Sequence, residues 1–220
     1  YSALFANTTG TANVAVGAEA GASITTGQQN TAVGKKALNA CTTANSNTAV
    51  GMNSQLLVVT GASNVSLGVE ALRNNTASYN TAVGFEALRV NTTGDRNLAV
   101  GISALGANTT GESNTALGAN ALDSNTTASN NTAVGKSALS ANTTGADNTT
   151  VGRNSLDANT TGNYNTAIGA LALTDSTTSD SNTALGYAAL FENTTGNSNV
   201  ALGVQALYSN TTGVSNVAIG

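Results

Sequence analysis

The run Asn-Thr-Ala-Val-Gly ends at Gly34, and a near copy of it ends in glycine about every seventeen residues along the 220-residue chain. The closing glycines are Gly17, Gly34, Gly51, Gly68, Gly84, Gly101, Gly118, Gly135, Gly152, Gly169, Gly186, Gly203 and Gly220. Eleven of the twelve intervals are seventeen residues, and Gly68 to Gly84 is sixteen. Asn stands four residues before every one of these glycines, as at Asn13, Asn30, Asn47, Asn114 and Asn216, and Val, Leu or Ile stands directly before it. The consensus is N-T-A-V-G-x-x-A-L-x-x-N-T-T-G-x-x. A period this strict makes each repeat one structural unit that buries its apolar face only by stacking on its neighbours.

Seventeen residues are too few for a helix pair and too many for a heptad. The alternation within Asn-Thr-Ala-Val and the regular glycines predict an all-β fold, a parallel β-solenoid of about thirteen coils spanning 1–220 as one array. Each strand then pairs with its copy in the next coil, ~4.8 Å away. The 7 basic and 11 acidic residues fall only at the two positions after Gly, the two after Leu and the two before Asn. All the aromatic residues occupy the same slots, among them Phe5, Tyr164, Tyr187 and Tyr208. These three variable pairs predict three solvent-facing corners.

Strand alternation puts Val and the residue two before it on one face. That face, with Val14, Val65, Leu98 and Val200 among its members, is the expected core, joined by the corner leucines Leu38, Leu72 and Leu190. The repeated Asn is expected either as a left-handed turn residue or as a rung of an amide ladder. Two large aliphatics per coil are few against the cost of ordering seventeen backbones. A second buried surface is therefore expected. The small residues Ala32, Ala82, Ala116, Ala37, Ala87 and Ala121 suggest close packing against another chain, in a homo-oligomer or filament, with a trimer favoured. Gly21 and Gln55 replace the corner Leu, and the sixteen-residue interval predicts a bulge or kink near residues 73–80.

Composition narrows the function. Charged residues make up 8% of the chain and the net charge is −4, the reverse of the basic stripe that nucleic acid requires. No apolar run approaches the ~18 residues of a membrane span. There is no His and one Cys, so nucleophile–base pairs of the His type and Cys-based metal sites have no residues to use. The carboxylates recur at no fixed pairing, calcium-type Asp columns are missing, and no enzyme activity or cofactor is expected. Cys41 is expected as a small buried hydrophobe, and the corner aromatics as isolated surface residues. Both ends fall at repeat boundaries without polar caps, so the chain is expected to be a window on a longer fibre.

The motif N-T-A-V-G-x-x-A-L resembles the head repeats of trimeric autotransporter adhesins. The longer N-T-A-x-G-x-x-A-L-x-x-N-T-T-G is similar to repeats of phage and prophage tail-fibre proteins. The resemblance covers the whole chain, although the adhesin unit is shorter and its Asn lies one residue further from the Gly. It implies a left-handed β-roll, trimeric assembly, surface attachment and an extracellular, cell-surface or virion-surface location.

Three readings of the surface follow. Asn-Thr-Thr is an N-glycosylation sequon, and it recurs at Asn7, Asn91, Asn108, Asn125, Asn142, Asn159, Asn193 and Asn210. A glycan coat there would solubilise a fibre poor in charge, and Thr-rich walls are also candidates for O-linked sugars. Against the sequon reading, Ile24, Cys41 and Val58 replace this Asn in three successive coils, as an inward hydrogen-bonding position would allow. Direct binding of a receptor glycan or of ice is a further alternative to the fibre shaft, adhesin head or tail-fibre shaft. Adjacent Thr residues in a strand point to opposite faces, which would leave one outward Thr column, and bulky, charged corners beside it would spoil its flatness.

Overall fold

The computed structural model describes residues 2–220, and among them every regular element is a three-residue β-strand. The chain forms two compact units, Tyr1–Gly111 and Glu112–Gly220. The first holds β1 (Val14–Val16), β2 (Thr31–Val33), β3 (Thr48–Val50), β4 (Val65–Leu67), β5 (Thr81–Val83) and β6 (Leu98–Val100). The second holds β7 (Thr115–Leu117), β8 (Thr132–Val134), β9 (Thr149–Val151), β10 (Thr166–Ile168), β11 (Thr183–Leu185), β12 (Val200–Leu202) and β13 (Val217–Ile219). Within each unit the strands stack in chain order, parallel and residue on equivalent residue; Thr31 pairs with Thr48 in the first and Thr166 with Thr183 in the second. Both units are parallel β-solenoids with one coil per sequence repeat.

The face of the strand that enters the core is the opposite of the one expected. The central residue is fully buried, as at Ala32, Ala49 and Ala99 in the first unit and Ala133, Ala167 and Ala184 in the second. The flanking Thr and Val, Leu or Ile point outward, with Leu67 50% and Leu185 43% exposed. The corner leucines do fill the core: Leu38, Leu72, Leu88, Leu105, Leu122, Leu139, Leu156, Leu173 and Leu190 are all fully buried. Each is preceded by a small buried residue such as Ala37, Ala87 or Ala121. The small residues expected to meet another chain therefore line their own coil, where a narrow cross-section leaves room for a methyl group opposite each Leu.

That Leu enters the core because its backbone takes a left-handed turn, with φ of 49° at Leu38 and 53° at Leu139. This conformation costs a β-carbon-bearing residue ~1–2 kcal/mol. Hydrogen bonds within and between coils offset it: the Cys41 N–H donates to Leu38 O at 3.3 Å, and the Leu38 N–H to Ser54 O of the next coil at 3.1 Å. The closing glycines have φ between 126° and 144°, a region essentially restricted to glycine. A β-carbon on Gly152 would also lie 2.4 Å from the carbonyl oxygen of Gly169 in the next coil. Glycine is required there by conformation and by stacking together.

Two asparagine columns complete the interior. In the first, the Asn148 main-chain N–H donates to Asn131 Oδ1 at 3.0 Å, and Asn148 Oδ1 accepts from the Asn165 main-chain N–H at 2.9 Å. Its Nδ2 reaches across the coil to Gly162 O at 2.8 Å. The first unit repeats this at Asn30, Asn47, Asn64 and Asn80. The recurring Asn is thus a rung of a ladder, and its φ is not left-handed.

Departures from the consensus are matched locally. Gly21 leaves a space that Ile24 fills, since a β-carbon on Gly21 would lie 3.0 Å from Ile24 Cδ1. Gln55, in a Leu position, turns inward and donates to Thr48 O at 2.9 Å and to Ser66 Oγ at 2.8 Å. Ser66 itself replaces a strand Ala, and Ser54 hydrogen-bonds to it. The sixteen-residue coil produces no bulge or kink in the sheet, because Val65 pairs with Thr81 and Thr81 with Leu98 in unbroken register. The corner absorbs the deletion: Asn75 Nδ2 donates to Ala77 O two residues on, where Asn91 reaches Gly94 O three residues on.

Replacing Asn148 with Ala leaves the buried Asn165 N–H without its partner, while the Gly162 carbonyl keeps the donation from Asn159 Nδ2. At ~1–3 kcal/mol for a stranded buried group, Asn148→Ala should lower the free energy of unfolding by about 1–3 kcal/mol in urea titration. A change below about 1 kcal/mol would mean that the ladder is dispensable.

Candidate functional site

The Asn-Thr-Thr corner was the richest candidate in the sequence, and its three residues have three different fates. Asn91 and Asn108 in the first unit, and Asn125, Asn142, Asn159 and Asn193 in the second, are fully buried. They form the second asparagine column. Asn142 Nδ2 donates to Asn125 Oδ1 and to Gly145 O, both at 2.9 Å; Asn159 Nδ2 donates to Asn142 Oδ1 at 2.9 Å and to Gly162 O at 3.1 Å. Asn91 and Asn108 repeat the pattern. An N-linked sugar would attach at this nitrogen, which has no path to solvent. These six sequons are interior rungs of the folded coil, the arrangement that Ile24, Cys41 and Val58 at the same position pointed to. Asn7 is exposed and Asn210 half-buried, yet each makes the same donation to the carbonyl three residues on.

The first Thr is half-buried in most coils, and its hydroxyl is directed along the stack. Thr143 Oγ1 donates to Thr160 O at 2.9 Å, Thr160 Oγ1 to Thr177 O at 3.0 Å and Thr194 Oγ1 to Thr211 O at 3.1 Å. The same carbonyls accept backbone donors, so Thr160 O also takes the N–H groups of Thr143 and Thr144 at 2.9 and 3.1 Å. The second Thr is exposed at Thr127, Thr144, Thr161, Thr178 and Thr195. Both Thr columns therefore reach the surface, because this segment is a turn and not a strand. Strand alternation had left only one.

In the second unit the double column runs without a break through Thr126–Thr127, Thr143–Thr144, Thr160–Thr161, Thr177–Thr178, Thr194–Thr195 and Thr211–Thr212. The next residue is Gly, Ala or Ser throughout, and larger exposed side chains such as Tyr164 and Val214 stand at the corner beyond it. In the first unit Val59 and Ala77 interrupt the columns.

Two other surfaces stand out. The first unit carries an apolar stripe where Met52, Phe85 (49% exposed) and Ile102 (57% exposed) border the outward residues Leu67 and Val100. In the second unit Phe191 and Tyr208 stack in parallel at 5.1 Å between ring centroids. Corner aromatics were expected to be isolated, but equivalent positions one coil apart lie within stacking distance. Charged side chains pair locally, Glu86 with Arg89 at 3.4 Å and Glu70 with Arg73 at 3.8 Å. Such exposed pairs contribute little. Among the described residues no three His, Cys, Asp or Glu side chains converge as metal ligands, and no helix is long and apolar enough to cross a membrane.

Cys41 is fully buried in the second asparagine column, and burial pushes its thiol up to about 11 from 9.0, against a weaker opposing hydrogen bond to Ala44 O. No protein-family model matches this chain, and no curated protein is significantly similar to it.

Two outcomes follow. In a host that glycosylates Asn-x-Thr, peptide mass analysis of the folded protein should find Asn91, Asn108, Asn125, Asn142, Asn159 and Asn193 unmodified; sugar on any of them would contradict the buried ladder. Cys41 should resist thiol reagents at pH 8 and react on adding urea. Because its folded pKa is raised, stability linked to this thiol is complete below pH 9.0 and declines as the pH rises from there through about 11.

Proposed function

We propose that this chain is a structural repeat segment of an extracellular fibre, acting as a shaft or adhesin head that extends and displays whatever it carries. The supporting observation is where the hydrogen bonding lies. Both asparagine columns, the Thr hydroxyls and the strand ladder all run from coil to coil along the stack. Charged side chains are confined to variable corners, where their identity changes from one coil to the next. An architecture that repeats its axial bonds and varies its surface suits extension and mechanical continuity, which is also the role that the resemblance to adhesin and tail-fibre repeats implies.

Self-association into a homo-oligomer or filament belongs to this reading. Its support is now the stripe of Met52, Leu67, Phe85, Val100 and Ile102 in the first unit, contiguous apolar surface of the kind that marks interaction sites.

Antibodies raised against the folded chain should label filaments on intact cells or particles of the source. Labelling that appears only after permeabilisation would overturn an extracellular role.

A further inference from the structure

We propose that the threonine wall of the second unit is an ice-binding surface, a property that goes beyond the fibre role and does not depend on it. The wall is the double column from Thr126–Thr127 to Thr211–Thr212. Four features of it point to a crystalline water surface as its occupant.

The first is regularity. The coils of this unit stack in exact register, so hydroxyl and methyl groups recur at the inter-strand spacing of ~4.8 Å. That distance is close to the oxygen repeat along rows of hexagonal ice.

The second is rigidity. Thr has few χ1 states, and in the inner column the hydroxyl is fixed by donation to the next coil, as in Thr126 to Thr143 at 3.1 Å and Thr143 to Thr160 at 2.9 Å. The ordering entropy that a mobile surface would lose on binding is already spent in folding. Many weak, identical contacts on a rigid array then add as a multivalent set.

The third is chemistry. No charged residue stands within the two Thr columns; Asp123, Asp147, Asp157, Asp175, Asp180 and Glu192 lie at the corners to either side. The exposed column of Thr127, Thr144, Thr161, Thr178 and Thr195 offers a hydroxyl that joins a water lattice and a methyl group that orders water around it. A charged surface would organise its own hydration shell instead.

The fourth is area. Six coils at ~4.8 Å and two residues of width give on the order of 200–300 Å², well under the roughly 800 Å² per partner of a stable protein interface. The wall is too narrow to hold a second copy of the chain, whereas a growing crystal face needs only registry along it.

The test uses the 220-residue chain and ice itself. The protein should slow ice recrystallisation and facet growing crystals. The double variant Thr144→Lys/Thr161→Lys, placed in the exposed column where no ladder bond is lost, should need at least about ten-fold more protein for the same effect. Its thermal unfolding, followed by circular dichroism, should match that of the parent. Tyr187→Lys, at a different corner, should leave the ice activity unchanged. Ordinary ice growth in the presence of the parent chain would overturn the proposal. So would full activity in the double variant, or loss of activity in Tyr187→Lys alone.

Discussion

The structure depends on one constraint: the buried amides of each coil must be satisfied by the coils on either side. A seventeen-residue turn with a three-residue strand cannot satisfy its own backbone within one coil. Asparagine resolves this with one side chain, since its oxygen accepts from the next coil while its nitrogen closes a corner, as Asn148 does between Asn165 and Gly162. An unsatisfied buried polar group costs about as much as the burial of a whole aliphatic side chain contributes. Asparagine at this position is therefore as much a core residue as Leu139.

This explains why a chain with so few large apolar residues builds an ordered interior. The hydrophobic part is one Leu and two small residues per coil, and the remainder is amide and hydroxyl bonding directed along the stack. Where the polar column is broken by Ile24, Cys41 and Val58, the interior turns apolar for three coils. Where the Leu column is broken by Gln55, a polar cluster with Ser54 and Ser66 replaces it. The two columns exchange chemical character locally because what the fold requires is filled volume with most polar atoms paired, not a particular residue type; the Gln55 amide nitrogen is satisfied while its Oε1 has no partner.

The same economy shapes the surface. With the small residues turned inward, the β-branched and aliphatic strand residues are left outside, and the Thr corner becomes a hydroxyl-lined wall. The extension and the surface recognition proposed above thus draw on one repeated geometry. The corners vary freely because their coil-to-coil bonds are made largely by the backbone, as from the Asp147 N–H to Ser129 O and the Tyr164 N–H to Ala146 O, whatever the side chain. The sixteen-residue coil makes the same point, since the deletion fell in a corner and the strand register survived it.

The period, the parallel in-register pairing, the three corners and the inward Leu were all legible in the chain, because a strict repeat fixes which residue stacks on which. The choice of core face was not. Alternation establishes that Ala32 and its neighbours Thr31 and Val33 lie on opposite faces, but it carries no information about which side is enclosed. That was decided by cross-section: with Leu38 turned inward and Asn columns occupying the same space, only a small side chain such as Ala, Ser66 or Thr150 fits at the strand. Likewise, the pattern Asn-Thr-Thr reads equally well as a sugar acceptor or as a ladder. Only the folded coil, which encloses Asn142 and Asn159 while leaving Thr144 and Thr161 in solvent, separates the two.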